Sequence, residues 1–249
     1  MVLKAALAIA AAAALAGGLW WSLAAHRPAE TSPTTGIRLD RPLPDVPLVD
    51  EDGKPVTLAD FRGKVVVVSP TLTLCHEVCP LTVGAFNAMQ AAVRRAGLGG
   101  RVVFAAISVD PWRDSPARLR AFSHYADVRF ALLTGNERSL RRFWRALGVG
   151  FFRTPQGKHP GLDWWTHRPE TFDVAHTDGL FFLDGRGHLR IAMLGVPSLR
   201  GELAPRLRSL LSEEGLADLR HPQVPWTLRE ALSNLSLLAG RSIPAPGER

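Results

Sequence analysis

Residues 64–69 contain four consecutive valines, and this run of β-branched side chains limits the fold class more than any other segment. Turn-forming residues lie on both sides of the run, as expected for a short strand. A strand that is apolar at every position is buried on both faces, so its sheet needs a packing layer on each side. The chain has 249 residues, of which 46% are hydrophobic, which is enough for one such domain plus a tail or an anchor.

Strand and helix patterns alternate along the chain after this run. Strand patterns and stretches with helical spacing follow one another at residues 80–96 (helix), 101–109 (strand), 115–125 (helix), 129–133 (strand) and 137–147 (helix). Residues 174–183 and 188–194 flank the turn sequence Asp-Gly-Arg-Gly and predict a β-hairpin. A final helix is predicted at 198–212, and an amphipathic stretch at 227–238. This order predicts an α/β fold, a three-layer sandwich around a mixed sheet.

The sequence predicts four segments. Residues 1–27 form a membrane anchor or signal, and the Pro- and Thr-rich residues 28–43 form a linker. The globular domain occupies 44–214 and includes a loop insertion at about 150–172, where Pro and Gly residues interrupt both periodicities. Residues 215–249 form a C-terminal extension.

The amino-terminal segment has the features of a single membrane span. Residues 5–25 carry no charge, and an apolar helix of this length rises about 30 Å, the thickness of the hydrocarbon core of a bilayer. Lys4 precedes the run, and Trp20 and Trp21 lie near its end, where aromatic rings anchor at the interface. A cleaved secretory signal is the alternative. We expect an uncleaved anchor in the cytoplasmic membrane, with the globular domain on the extracytoplasmic, periplasmic side.

The charge balance does not indicate a nucleic-acid-binding protein. Thirty Lys and Arg residues against 23 Asp and Glu residues give a formal net charge of +7. The excess is spread along the chain, and no basic stretch is interleaved with aromatic residues. No nucleic-acid partner is expected.

The two cysteines of the chain, Cys75 and Cys79, indicate chemistry at the end of the valine-rich strand. They lie between a predicted strand and a predicted helix, and open α/β sheets bind ligands at the carboxyl ends of their strands. A helix amino terminus stabilises negative charge and lowers the pKa of a nearby thiol. Two thiolates bind a soft cation or close a disulfide, and two sulfurs are too few for a structural zinc site. An inert structural disulfide remains an alternative.

An imidazole would complete a site for copper, and the chain has eight histidines. His176 stands out because it precedes the apolar run of residues 180–183 in the first strand of the predicted hairpin. His76 lies between the cysteines but can point outward, and His159 and His167 lie in the insertion. Spacing alone does not select a ligand, because a lone histidine near a strand is more often structural.

Four motifs in this order resemble the Sco/SenC family over roughly residues 42–211. They are the strand at 64–70, Cys75-x-x-x-Cys79-Pro80, Ile107-Ser108-Val109-Asp110-Pro111-x-Arg113-Asp114, and Val174-x-His176 before Phe181-Phe182-Leu183-Asp184. The resemblance implies a thioredoxin-like fold on an amino-terminal membrane anchor. It also implies a metallochaperone that binds copper, as Cu(I), Cu(II) or both, and assists assembly of the binuclear copper centre of cytochrome c oxidase.

The resemblance further implies that Cys75, Cys79 and His176 are the copper ligands. The expected partner is the copper-binding subunit of cytochrome c oxidase or another copper acceptor. Glu77 stands where family members often carry Asp, and Asp110, Arg113 and Asp114 match a stretch that is usually near the site.

Three other functions are alternatives, and the sequence counts against the second of them. An extracytoplasmic thiol-disulfide oxidoreductase that keeps acceptor cysteines reduced would use Cys75 and Cys79 as its redox pair without His176. A peroxidase of the peroxiredoxin type would have a threonine three positions before its reactive cysteine, where this chain has Leu72. In a non-enzymatic adaptor, the thiols would only form a staple.

Overall fold

The computed structural model describes most of the chain after the predicted linker begins. The described ranges are 36–157, 160–199, 203–222 and 225–246. The predicted anchor or signal at 1–27 and the first part of the linker, residues 28–35, lie outside them. Over the described ranges, no helix combines the length and the apolar character that crossing a membrane requires.

Twelve strands and six α-helices form within these ranges. The strands are β1 (Ile37–Pro42), β2 (Leu48–Asp50), β3 (Pro55–Val56), β4 (Val65–Thr71), β5 (Val102–Ser108), β6 (Ala131–Thr134), β7 (Phe151–Pro155), β8 (Phe172–His176), β9 (Gly179–Leu183), β10 (His188–Leu194), β11 (Val196–Ser198) and β12 (Pro225–Thr227). The helices are α1 (Cys79–Arg95), α2 (Pro116–Ala126), α3 (Glu137–Leu147), α4 (Pro205–Arg208), α5 (Glu213–Arg220) and α6 (Leu228–Ala239). A 3-10 helix at Leu58–Phe61 precedes β4.

Eight of these strands form one sheet, in the order β1-β10-β9-β4-β5-β6-β2-β3. The central strands β4, β5 and β6 are parallel neighbours, and β9 is antiparallel to β4. The mixed sheet predicted from the sequence is therefore confirmed. The two remaining pairs are separate: β7 pairs with β8, and β11 pairs with β12.

The valine-rich strand lies at the centre of the molecule, as predicted. All seven residues of β4 are buried. Val65 and Val67 belong to a hydrophobic core shared with α1, α2 and α6, whereas Val66 and Val68 belong to a second core shared with α3. Alternate side chains of a strand point to opposite faces, so the two cores lie on the two faces of the sheet. The three predicted layers are confirmed.

Helices α1, α2 and α3 begin and end within one residue of the bounds that the sequence predicts. The Ser115 side chain caps α2 by accepting from the backbone N–H of Arg118. The Asn136 side chain caps α3 by accepting from the N–H of Ser139. α3 ends at Gly148, whose φ of 79° suits glycine better than other residues. These contacts satisfy backbone groups that the helix itself leaves unpaired.

The predicted linker is partly wrong. Residues 37–42 form the edge strand β1, which pairs antiparallel with β10 so that Ile37 lies opposite Ala192. Leu39 packs against the core on one face of the sheet. Proline and threonine content suggested an extended linker, but this pairing and packing incorporate the segment into the sheet.

The predicted hairpin and insertion also differ from the structure. β9 and β10 form the hairpin around the predicted turn, but its first strand begins at Gly179 rather than at residue 174. Residues 151–155, predicted as part of a loop, form β7 instead and pair with β8. His176 therefore ends a strand of a separate two-stranded sheet and does not lie in the first strand of the hairpin.

The predicted helix at 198–212 is wrong as well. The chain forms β11, which ends at Ser198, and later the short helix α4. Pro205 explains the late start, because a residue before proline avoids the helical region, and Ala204 has a ψ of 138°. Of the predicted extension, Trp226, Leu232 and Leu235 are buried in the same core as α1. The amphipathic stretch predicted at 227–238 is confirmed as α6.

Candidate functional site

The two cysteines lie where β4 leads into α1. Cys75 is in the connecting loop, and Cys79 is the first residue of the helix, followed by Pro80. The backbone N–H of Cys79 donates to the Sγ atom of Cys75 at 3.2 Å. This amide belongs to the helix amino terminus, where N–H groups have no partner within the helix. The loop thus turns the Cys75 sulfur toward the positive end of α1.

Both cysteines are free thiols with very different proton affinities. The Cys79 thiol donates a hydrogen bond to the Cys75 sulfur, and this bond lowers the pKa of Cys75 although burial opposes the shift. The same bond, together with burial, raises the pKa of Cys79 well above its ordinary value. Of the two thiols, Cys75 therefore loses its proton more readily and Cys79 holds its proton more tightly.

His176 lines the same cavity as Cys75. The cavity has a volume of about 630 Å³ and lies between the cysteine loop, β8 and the segment before α5. The His176 side chain is only 6% exposed, and its Nδ1 atom lies 3.6 Å from Oδ1 of Asp178 and 3.3 Å from the carbonyl oxygen of Thr177. Among the described residues, no three His, Cys, Asp or Glu side chains are gathered closely enough to hold a metal ion. The fold brings the predicted ligands into one region without closing a metal site.

Asp178 is a site residue that the sequence analysis missed. Burial raises the pKa of its carboxyl group, and the charge of His176 opposes that shift. Its negative charge also acts to raise the pKa of both thiols. At Cys75 the hydrogen bond from Cys79 outweighs this effect, and the pKa is lowered overall. Its spacing from His176 was the available signal, since alternate residues of the strand predicted at 174–183 would share a face. In the structure, Asp178 lies between β8 and β9.

His76 is held by two hydrogen bonds to groups outside the cysteine loop. Its Nδ1 atom lies 2.9 Å from the carbonyl oxygen of Leu210, and its Nε2 atom lies 2.6 Å from Oε1 of Glu170. The bond to Glu170 is the main reason why the pKa of His76 is raised to about 9. Both ring nitrogens are engaged, which agrees with the low expectation for His76 as a ligand.

Glu170 and Arg113 connect this loop to β8. The Glu170 carboxylate is buried, and its second oxygen, Oε2, lies 3.4 Å from Nη1 of Arg113. Arg113 also donates to Asp110 at 2.6 Å and to the carbonyl oxygen of Phe172 at 2.8 Å, and its guanidinium lies 4.1 Å from the centre of the Phe172 ring. Glu170 lies in the predicted loop insertion, and no motif in the sequence pointed to it.

Asp114 fixes the start of the cysteine loop. Its Oδ1 atom accepts from the N–H and the hydroxyl of Thr73, at 3.2 and 2.6 Å, and its Oδ2 atom accepts from the Ser108 hydroxyl at 2.7 Å. Burial, and then the charge of Asp110, raise the pKa of Asp114 to about 6. The predicted proximity of the 110–114 stretch to the site is confirmed.

The insertion packs against the same loop. The indole N–H of Trp164 donates to the carbonyl oxygen of Thr73 at 2.7 Å. Asp163 forms a bidentate ion pair with Arg118 of α2, with N–O distances of 3.0 and 2.7 Å, and this pair holds the insertion against the helix. This pair lowers the pKa of Asp163 despite the opposing effect of burial. The residues around Trp164 therefore connect α2 to the start of the cysteine loop.

Other carboxylates surround the cavity. Burial raises the pKa of Glu77, and the nearby charges of Asp173, Asp218 and Glu214 add to the shift. Among the remaining histidines, His188 is bonded to Asp40 at 2.8 Å. His159 lies outside the described residues.

Comparisons with known proteins agree with this arrangement. The SCO1/SenC family profile matches residues 43–211, more than half of the chain. A protein of Stutzerimonas stutzeri whose name describes copper binding is 28% identical over 159 residues, which are 61% of this chain and 70% of that protein. Protein sco1 of Schizosaccharomyces pombe is 27% identical over 164 residues, 65% of this chain but only 58% of that protein.

A solved structure shares the fold. The structure of Bradyrhizobium japonicum ScoI with copper bound superimposes with a TM-score of 0.52 at 20% identity, over 73% of this chain and 99% of that one. This similarity, with the mixed sheet, confirms the predicted thioredoxin-like α/β architecture. By its fold, its motifs and the profile match, the chain belongs to the SCO1/SenC family.

Proposed function

We propose that this protein is a copper chaperone that binds copper through Cys75, Cys79 and His176. The observation that carries the proposal is that Cys75 and His176 line one cavity while the Cys79 thiol contacts the Cys75 sulfur. The copper-binding name of the Stutzerimonas stutzeri relative and the bound copper in Bradyrhizobium japonicum ScoI support the choice of metal.

The chemistry of the three groups suits copper. Thiolates are soft ligands and favour Cu(I), and an imidazole also holds Cu(II). Cys75 loses its proton more readily than Cys79, so the Cys79 thiol is the harder of the two to deprotonate when copper binds. Thiol and imidazole ligands must be deprotonated to bind, and uptake therefore weakens in acid.

The surroundings of His176 prepare its ring for metal binding. Both neighbours of Nδ1, the Thr177 carbonyl and the Asp178 carboxylate, are hydrogen-bond acceptors. The proton of the neutral ring therefore resides on Nδ1 and leaves the lone pair of Nε2 free. Partners of this kind fix the tautomer and orientation of a ligating histidine.

We further propose that the copper acceptor is the copper-binding subunit of cytochrome c oxidase. The cavity of about 630 Å³ beside Cys75 and His176 gives space for a ligand of the acceptor to approach the copper before the chaperone releases it. The family membership supports this choice of acceptor.

The proposal includes anchoring in the cytoplasmic membrane by residues 1–27, with the globular domain on the extracytoplasmic side. The uncharged run at 5–25, preceded by Lys4, supports this location. Protease treatment of intact cells and of spheroplasts tests it, since the domain should be digested only after the outer barrier is opened.

Copper titration of the full-length reduced protein tests the ligand set. We expect one copper per chain in the wild type and a loss of high-affinity binding in Cys75→Ala, Cys79→Ala and His176→Ala. His188→Ala is the matched control, because this histidine is also bonded to a carboxylate but lies on β10. Unchanged affinity in Cys75→Ala and His176→Ala would overturn the proposal.

A further inference from the structure

We propose that Glu170 is a positioning residue for the copper site: it acts through His76 on the cysteine loop and through Arg113 on the strand that carries His176. This inference rests on the proposed function, because it concerns the same site. It assigns a role to a buried carboxylate of the insertion that is not one of the proposed copper ligands.

The first contact fixes the loop that carries the two sulfurs. His76 lies between Cys75 and Cys79, and its Nε2 atom is 2.6 Å from Oε1 of Glu170. The Glu170 side chain is 1% exposed and the His76 side chain is 26% exposed, so the carboxylate end of this bond is buried. Charge-assisted hydrogen bonds of this length are among the strongest in proteins.

The second contact reaches the other ligand-bearing element. Oε2 of Glu170 lies 3.4 Å from Nη1 of Arg113, and the same Nη1 donates to the carbonyl oxygen of Phe172, the first residue of β8. β8 ends at His176. One oxygen of the Glu170 carboxylate therefore contacts His76 in the cysteine loop, and the other contacts Arg113, which is bonded to β8.

The insertion is shaped around this pair. Gly161 accepts from the Glu170 backbone N–H at 2.9 Å. A Cβ atom at Gly161 would lie 3.1 Å from Oε1 of Glu170 and 3.3 Å from the His76 ring. The backbone at 161 thus lies directly against the hydrogen bond between Glu170 and His76, and a side chain at this position would crowd it.

Residues that hold metal ligands in position affect metal affinity by a known amount. Loss of such a partner typically lowers metal affinity by about 10- to 100-fold. We expect Glu170→Ala to weaken copper binding of the full-length protein within this range and to shift the Cu(II) absorption and paramagnetic resonance spectra. Glu170→Gln keeps an oxygen that can accept from His76 and should recover most of the affinity, although it loses the charge facing Arg113.

Asp163→Asn is the matched control. Asp163 belongs to the same insertion and forms a comparable ion pair with Arg118, but it has no bond to the cysteine loop or to β8. If copper binding depends only on an intact insertion, Glu170→Ala and Asp163→Asn reduce copper affinity to the same extent. If Glu170 acts as proposed, Asp163→Asn leaves the copper spectra as in the wild type.

A double-mutant cycle with His76→Asn tests the route of the effect. Residues in one hydrogen-bond network are not additive. The fold-change caused by Glu170→Ala should be at least about threefold smaller in the His76→Asn background. An equal fold-change in both backgrounds would show that Glu170 does not act through His76.

Hydrogen exchange of the copper-free protein keeps this inference separate from the proposed function. Loss of a hydrogen bond to a charged group should speed amide exchange at residues 75–79 by about tenfold in Glu170→Ala, while exchange in β4 stays unchanged. Uniform exchange changes, or none at the loop, would overturn the inference. Wild-type protein that binds no copper, with fast loop exchange in the variant, would instead contradict only the proposed function.

Discussion

The imidazole of His76 lies 2.6 Å from the carboxylate of Glu170, although 94 residues separate them in the sequence. The bond joins His76, the residue that follows Cys75, to a carboxylate of the insertion. The Cys75 sulfur, in turn, receives the backbone N–H of Cys79. The loop is therefore organised before any metal is bound.

The raised pKa of His76 predicts a loss of stability in base. The hydrogen bond with Glu170 is the main cause of the shift from 6.5 to about 9. The stabilising contribution of the protonated ring is complete below pH 6.5 and is lost as the pH rises through about 9. We expect the wild type to exceed His76→Asn in free energy of unfolding by about 2 kcal/mol more at pH 6 than at pH 10. Urea denaturation of both proteins under reducing conditions measures this difference, and a constant difference would contradict the prediction.

At Asp114, in contrast to His76, we expect a substitution that removes the charge to stabilise the protein. Burial is the main cause that raises its pKa from 3.8 to about 6, so folding favours the protonated form. The stability that protonation contributes is complete below pH 3.8 and is lost as the pH rises through about 6. Asp114→Asn keeps an acceptor for Thr73 and can donate to Ser108. We expect it to raise the free energy of unfolding by about 1–3 kcal/mol at pH 8 and to change it little at pH 4.

Asp114→Ala is the control for this prediction. It removes the charge but leaves the Thr73 and Ser108 groups without their partner, so it should destabilise the protein at both pH values. Equal stability changes at pH 4 and pH 8 in Asp114→Asn, measured by urea denaturation, would show that the buried charge is not the cause.

Gly215, in helix α5, packs directly against the cysteine loop. A Cβ atom at this position would collide with the His76 carbonyl oxygen and would lie 3.0 Å from the Cα atom of Glu77. We expect Gly215→Ala to lower the free energy of unfolding by about 1–3 kcal/mol, the usual cost of overpacking. Thermal unfolding followed by circular dichroism provides the measurement.

Gly100→Ala is the matched control for the same method. Gly100 is exposed, and a Cβ atom there would meet nothing within 4 Å. Its substitution should change stability by no more than about 0.5 kcal/mol. A Gly215→Ala variant as stable as Gly100→Ala would mean that α5 and the loop are farther apart in solution.

The elements predicted correctly are those in which the local sequence pattern and the tertiary packing favour the same structure. Val65–Val68 alternate between two cores, and α3 has both its cap, Asn136, and its terminating glycine, Gly148. These signals are local, and nothing in the tertiary structure opposes them. The position of the cysteines between β4 and α1 followed from the same reasoning.

The parts that were wrong depend on partners distant in sequence. β8 is separate from β9 because β7 pairs with it, so His176 lies opposite Phe151. The segment at 37–42 is a strand because β10 offers it an edge. Glu170 could not be identified, since only the folded insertion brings it to His76 and Arg113. Asp178 carried a weak signal through its spacing from His176.

X-ray absorption spectroscopy of the Cu(I)-loaded full-length protein tests the proposed ligand set most directly. The proposed ligand set predicts a first coordination shell of two sulfur atoms and one nitrogen atom. The nitrogen should be lost in His176→Ala, and one sulfur should be lost in Cys79→Ala. A shell that is the same in the wild type and in His176→Ala, or one with fewer than two sulfurs in the wild type, would contradict it.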